Sequence, residues 1–455
     1  MKKNYEIDMC NGPITGKMLR FALPLMLSSM LQLLFNAADI ITVGKFGSEH
    51  SLAAVGSNTA LINLLTNLFI GLSIGANVLV ARFYGAKNGE ELNETVHTAM
   101  LLSLISGLIL TVTGVIFARY FLIWMKTPAE ILDLATTYLK IYFLGMPAMM
   151  IYNFGSAILR AIGDTKRPLY FLAAAGVINI ILNILLVVVF RLDVKGVGIA
   201  TVISQTVSAI LIIRCLAKSN GDIKLELKKL RFSRGKIGAI LRIGLPAGLQ
   251  GSIFSLSNVV IQSSVNLFGP VVVKGNSAAQ NLEGFVYFSM NAFHHATLSF
   301  TSQNMGAKKY DRLGKILKNG LCLAILFGAG FGGTVILFGR NLLSIYTNDS
   351  AAISAGMTRL YIITGTYTLC GIMDVMVGAI RGIGYTVLPT IVSLIGACAL
   401  RLVWLATVFR IPKFHTINTV YLSYPITWLV TIIAHVICYI IIIKKNRFGD
   451  RKSVV

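Results

Sequence analysis

Acidic residues are scarce in this sequence. Eighteen Asp and Glu stand against 41 Lys and Arg, and charged residues of both signs make up only 13% of 455. A water-soluble chain of that length needs far more polar surface, so a polytopic membrane protein is the economical reading. Cysteine is sparse as well. Cys10, Cys215, Cys322, Cys370, Cys398 and Cys438 are scattered, mostly inside apolar runs, without a CxxC or a metal-ligand spacing. That supports neither a disulfide framework nor a zinc site. No Walker A sequence is present, so the chain carries no ATP engine of its own. Gly328-Ala329-Gly330-Phe331-Gly332-Gly333 satisfies GxGxxG, yet it lies inside an apolar run with no preceding strand and is not a dinucleotide fingerprint. No nucleophile, base and orienting group can be assembled, which argues against an enzyme. No cleavable signal peptide is expected, because the first apolar run is long enough to span and lacks a small-residue cleavage site behind it.

What the sequence does have is long apolar runs. In the first half they fall at 18–42, 52–80, 93–118, 131–157, 168–190 and 196–217. In the second half they fall at 237–266, 273–300, 314–338, 354–379, 387–409 and 420–443. Continuous runs of this length predict helices, since barrel strands would alternate over about ten residues. The expectation is an all-α polytopic membrane protein with 12 transmembrane helices, six in each half.

The two halves repeat one another about 221 residues apart. Leu19-Arg20-Phe21-Ala22-Leu23-Pro24 returns as Leu241-Arg242-Ile243-Gly244-Leu245-Pro246, and Asn36 and Phe46-Gly47 return as Asn258 and Phe268-Gly269. Tyr84-Gly85-Ala86-Lys87 returns as Met305-Gly306-Ala307-Lys308. Arg160-Ala161-Ile162-Gly163-Asp164-Thr165 returns as Arg381-Gly382-Ile383-Gly384-Tyr385-Thr386, with Pro168 and Pro389 each three residues further on. The period is far too long for a solenoid and marks two homologous halves. Six helices is an even number, so both halves enter the membrane from the same side and form a parallel repeat of two six-helix bundles. The boundaries read as 1–217, a basic linker at 218–236, and 237–455 with a basic tail.

Of the 41 Lys and Arg, 29 lie on one side of the predicted spans, nine lie on the other, and Lys140, Arg359 and Arg401 sit within apolar runs. The asymmetry places both termini in the cytoplasm. It also assigns the net charge of +23 to flanks that face anionic lipid rather than to nucleic-acid binding. The 218–236 linker lacks the interleaved aromatics a nucleic-acid surface would carry.

A carboxylate in the middle of a membrane helix costs about 2.5–3.5 kcal/mol on insertion scales, so each one is a functional candidate. Asp39 ends a stripe of Ser28, Gln32, Asn36 and Asp39 on one helical face, and Pro24 near the entry permits a bend, as does Pro246 in the second half. The bland alternative makes Asp39 a cap at the outer end of its helix. Asn179 and Asn183, one turn apart, face Thr201, Ser204, Gln205 and Ser208 on the next run. Such an oxygen-rich set either coordinates Na⁺ or a proton with Asp39, or is interhelical hydrogen-bond glue. In the second half Asp374 aligns with Tyr367 and Gly371, while Gln280, Glu283, Tyr287, Asn291 and His294 or His295 share a helical spacing. Arg401 is a candidate partner for Asp374 or Glu283, and His294 reads as a solvated helix end. Gly71 and Gly75 fit GxxxG and read as a close helix contact.

Taken together, the runs Pro24…Asn36-Ala37-Ala38-Asp39-Ile40-Ile41-Thr42-Val43-Gly44, Leu52-Ala53-Ala54-Val55-Gly56, Arg82-Phe83-Tyr84-Gly85-Ala86-Lys87 and Gly198-Ile199-Ala200-Thr201-Val202-Ile203-Ser204-Gln205 resemble the multidrug and toxic compound extrusion (MATE) family over about residues 15–445. The resemblance implies two bundles in a V, alternating access driven by Na⁺ or H⁺, and export of organic cations across a bacterial inner (plasma) membrane. It implies an ion or proton site at Asp39, Asn179, Asn183 and Thr201, where Na⁺ would bind transiently. Asn183 stands where the family pattern often has Asp, which leaves Asp39 as the only acid of that cluster. A second family arrangement maps onto Asp374, but Phe254 or Ser255 occupies the place of its partnering Glu. Candidate substrate contacts are Gln32, Asn36, Asn258, Gln280, Glu283 and Tyr287, in a monomer without a resident cofactor. Two rivals are a lipid-linked oligosaccharide flippase, which would carry a cationic cavity, and a membrane receptor or scaffold that does not transport.

Overall fold

In a computed structural model, residues 5–48 and 50–446 are described, and among them the chain is all-helical. The long apolar runs become α1 (Ile14–Phe46), α2 (Ser51–Gly85) and α3 (Gly89–Trp124). Next come α4 (Ala129–Leu144), α5 (Met146–Ala161), α6 (Lys166–Asn183) and α7 (Asp193–Ala217). The second half begins with α8 (Arg234–Asn266), α9 (Pro270–Gly306) and α10 (Leu313–Leu337). It continues through α11 (Gly339–Ser344), α12 (Ser350–Ile362) and α13 (Tyr367–Ile383) to α14 (Val387–Ser393), α15 (Leu400–Ala406) and α16 (Ile417–Asn446). Intrahelical bonding satisfies the backbone of each span, as a hydrocarbon surrounding demands.

Among the described residues, ten helical stretches are long and apolar enough to cross a membrane, and α4 with α5 forms an eleventh that bends by 46°. The twelfth expected span, α9, has 37 residues but carries Asn276, Gln280, Asn281 and Glu283, which keep it less apolar. The sequence predicts one unbroken helix over 131–157, whereas the chain breaks at Gly145, just ahead of Pro147. Two other spans contain a π turn, Ile184–Val189 after α6 and Leu394–Ala399 between α14 and α15. Such turns occur often at functional sites.

Two of the duplicated motifs turn out to be helix stops. Lys87 and Lys308 both take left-handed φ angles, 55° and 57°. There α2 closes through Lys87 N–H to the Tyr84 carbonyl (3.1 Å), and α9 through Lys308 N–H to the Met305 carbonyl (3.2 Å). Gly163 and Gly384 end α5 and α13 at φ 94° and 117°, a backbone state that glycine enters without a Cβ penalty.

By internal packing the chain divides into two units. The first comprises 1–8 and 27–252, the second 9–26 and 253–455. These bounds fall inside α1 and α8, a few residues beyond Pro24 and Pro246, so they differ from the halves that the sequence repeat outlines. In the first unit α2, α3, α4, α5 and α7 pack around Leu61, Leu110, Tyr138, Phe143, Met146 and Met150. The beginning of α8 lies against α2, where a methyl group added to Gly71 or Gly75 would overlap the backbone of Gly248 or Ile240. That is the close contact expected of the GxxxG pair. The linker is held to α3, with Glu226 N–H donating to His97 Nε2 (3.0 Å) and Arg231 paired with Glu94 (2.8 Å). In the second unit α9 packs on α10, α12 and α13, and α13 on α16. Large apolar side chains such as Ile116, Leu326, Leu337 and Ile437 remain exposed on the helix faces, as a lipid-facing surface requires.

Candidate ion-coupling site

Asp39 sits well inside α1, seven residues before its end, rather than capping it. In the first unit α6 brings Asn179 and Asn183 to it, and α7 brings Thr201. Asn183 Nδ2 donates to Asp39 Oδ1 in a short contact and also to Asn179 Oδ1 at 3.2 Å. Asn179 and Thr201 also stand near the carboxylate, the Thr201 hydroxyl donating to the Val197 carbonyl of its own helix at 2.9 Å. Asn179 and Asn183 are both buried, and Asp39 itself is half-buried. No Lys, Arg or His pairs with Asp39 among the described residues.

The four residues are convergent and uncharged except for one group. Asn183 Oδ1 is buried and has no hydrogen-bond partner, so an acceptor oxygen remains unused beside the carboxylate. Oxygen donors around a single negative charge suit a hard cation or a proton. Ser204 and Ser208 are not members. Their hydroxyls bond back to the α7 carbonyls of Thr201 (2.9 Å) and Gln205 (2.7 Å). Sequence reasoning missed Tyr138 and Tyr142 on α4, which stand near Asp39 with ring centroids 5.9 Å apart. Aromatic residues in an apolar run read as packing, and only the fold of α4 against α7 brings them close.

The second unit arranges its charges differently. Asp374 on α13 is held by Asn291 and Tyr287 of α9, which reach its carboxylate. His294 is buried and its Nδ1 lies 2.6 Å from the Asp374 carbonyl, so it is not the solvated helix end that the sequence led us to expect. Glu283 is buried in a two-point pair with Arg359 of α12: Nε donates to Oε1 at 2.9 Å and Nη2 to Oε2 at 2.7 Å. Arg359 Nη1 adds a bond to Asn276 Oδ1 at 2.8 Å. Glu283 is thus already engaged, which leaves it poorly placed to contact substrate. Arg401 pairs with neither Asp374 nor Glu283. Of the remaining candidate contacts, Gln32, Asn36, Asn258 and Gln280 are exposed and Tyr287 is half-buried, each on its own unit. Pro24 and Pro246 lie inside unbroken α1 and α8.

A duplicated helical membrane fold with chargeable groups buried among its spans defines a secondary transporter. The MatE family model matches residues 24–185 and 246–406, two segments that begin at the very prolines of the repeat. The chain belongs to that family: it is a MATE-family multidrug efflux transporter, not an enzyme. "Probable multidrug resistance protein YoeA" of Bacillus subtilis (strain 168) is 28% identical over 381 residues, covering 82% of each chain. A Shewanella oneidensis protein named "FAD transporter" is 24% identical over 440 residues, covering 95% of each. An outward-facing multidrug resistance MATE family transporter of the MOP superfamily superposes with a TM-score of 0.91 at 22% identity, covering 98% of this chain and all of that one.

Proposed function

We propose that this transporter exports amphipathic organic cations in exchange for H⁺ or Na⁺ by alternating access, with Asp39 as the principal coupling group. The observation that carries the reading is a carboxylate inside a membrane helix whose partners are amides and a hydroxyl rather than a cation. Such a group can change its net charge when a proton or Na⁺ arrives, whereas a carboxylate in an ion pair is already neutralised. Asn179, Asn183 and Thr201 would supply the remaining oxygens to a transient Na⁺. Ion binding moves the equilibrium only in so far as it favours one state, and each 1.4 kcal/mol of that difference is a tenfold shift in population. Pro24 gives α1 a point of bending, because it has no N–H to offer the carbonyl of residue 20. Asp374 is a second titratable group for the same cycle.

Gln32, Asn36, Asn258, Gln280 and Tyr287 would contact substrate, with aromatic faces favouring cationic cargo. The protein would act as a monomer in the plasma membrane with both termini in the cytoplasm. The test is efflux of a fluorescent cation from proteoliposomes under separately imposed Na⁺ and pH gradients. One gradient should drive export in the wild type and fail to drive it in Asp39→Asn; undiminished export by that variant would sink the proposal.

A further inference from the structure

The turn between α1 and α2 is held by one acidic side chain of α7. Asp193 Oδ1 accepts from the Ser51 hydroxyl (2.5 Å) and the Ser48 amide (3.3 Å), and its Oδ2 accepts from the Ser48 hydroxyl (2.8 Å). A methyl group added to Gly47 would stand 2.9 Å from Oδ1, so the turn comes this close because that residue has none. No Lys, Arg or His pairs with Asp193 among the described residues. Asp193 takes a φ of 53°, as does Arg191 two residues earlier. That backbone state is uncommon outside glycine, although Asp and Asn enter it more readily than most residues.

The helices joined by this clamp are those of the coupling cluster. Within the first unit α1 meets α6 and α7 at successive turns. Phe35 lies on Gly176 of α6, where an added methyl group would overlap its ring. One turn later Asp39 takes the Asn183 amide. After another turn Val43 is buried in the same core as Val187 and Val194. The Asp193 clamp closes the series at Ser48 and Ser51. Asn183 runs through the π turn Ile184–Val189 into the connection that ends at Asp193, so α1 is tied to the stretch that carries its coupling partner.

We propose that Asp193 is a positioning residue for the coupling site: by holding the α1–α2 turn it keeps α1 in the register at which Asp39 faces Asn183. This rests on reading Asp39 as the coupling group and adds the residue that holds it in place. A site assembled for only part of the time binds with an affinity reduced by that fraction. Loosening the clamp therefore raises the ion concentration that transport needs. It leaves the rate at saturating ion unchanged, because the bound ion favours the assembled state.

The test uses the full-length protein in proteoliposomes, with efflux of a cationic dye measured against the concentration of the ion that drives it. Asp193→Gly removes the carboxylate and accepts the positive φ without a Cβ penalty. It should raise the half-saturating ion concentration about tenfold and leave the maximal rate within about twofold of the wild type. Asp193→Asn keeps an acceptor oxygen, tolerates the same backbone and should behave as the wild type. Ser48→Ala together with Ser51→Ala removes the side-chain donors, should reproduce the glycine variant, and serves if that variant does not fold. An unchanged half-saturation in the folded clamp variants, or a loss confined to the maximal rate, would overturn the proposal. A second readout needs no transport: the rate at which dicyclohexylcarbodiimide labels Asp39 in detergent, followed by mass spectrometry. Labelling should be about tenfold faster in Asp193→Gly, as the covering Asn183 contact is lost for more of the time. Equal labelling rates would strike the clamp alone. Dye export driven by neither gradient in the wild type would strike the export reading alone, since the labelling comparison would still decide the clamp.

Discussion

Asp39 of the first unit and Glu283 of the second are set in opposite ways, while Asp374 of the second is held by dipoles as Asp39 is. Asp39 is surrounded by two asparagines and a threonine, so its charge is carried by dipoles. Glu283 is surrounded by a guanidinium, so its charge is cancelled inside the span. Two halves that share one ancestral pattern have therefore put buried charge to different uses. The first holds an acid among amides and a hydroxyl, which we propose exchanges a proton or an ion, and the second holds, besides the dipole-held Asp374, a fixed pair that ties α9 to α12. A charge balanced by dipoles can come and go at modest cost; one balanced by a fused counter-ion cannot.

Breaking the pair should give the largest effect. Glu283→Gln leaves Arg359 buried without its partner and should cost about 3–5 kcal/mol, read as a lowered unfolding temperature in detergent. Replacing Glu283 and Arg359 together by methionine should recover most of that loss. If the single change were harmless, the contrast between the units would dissolve. Asp39→Asn should leave the unfolding temperature near that of the wild type yet reduce gradient-driven export about 100-fold, equivalent to about 2.7 kcal/mol. A variant that lost stability rather than coupling would place Asp39 in the same category as Glu283. Between those extremes, Gly71→Val should cost about 1–3 kcal/mol, because its side chain would overlap the α8 backbone at Gly248. Gly16→Ala is the control there, since nothing lies within 4 Å of the added methyl group. The smallest change sharpens the comparison from the other side. Asn183→Asp adds a second acid beside Asp39 and should tighten Na⁺ binding about tenfold, measured as Na⁺-dependent thermal stabilisation.

The first unit's cluster was legible because it follows helical spacing. Asn179 and Asn183 are one turn apart, and Asp39 ends a stripe at intervals of four and three. The repeat was legible in part because two of its motifs are helix stops with fixed backbone demands at Lys87, Lys308, Gly163 and Gly384. Other features have no such local signature. Glu283 and Arg359 are 76 residues apart, and only the packing of α9 on α12 selects Arg359 over Arg401. The turn at Gly145 and the two π segments sit within long, mainly apolar runs, so hydropathy passes straight through them. Tyr138 and Tyr142 were hidden for the related reason that an aromatic side chain has the same pattern whether it fills a core or borders a site.

The positions at which the units divide, within α1 and within α8, bear on how the molecule can be made. A ribosome that has finished the first six spans has not yet produced residues 218–252, which complete the first unit, but has already released residues 9–26, which belong to the second. Severing the chain in its basic linker would give two fragments, each short of a piece carried by the other. Gene duplication doubled the spans, yet the units that resulted do not coincide with the two copies.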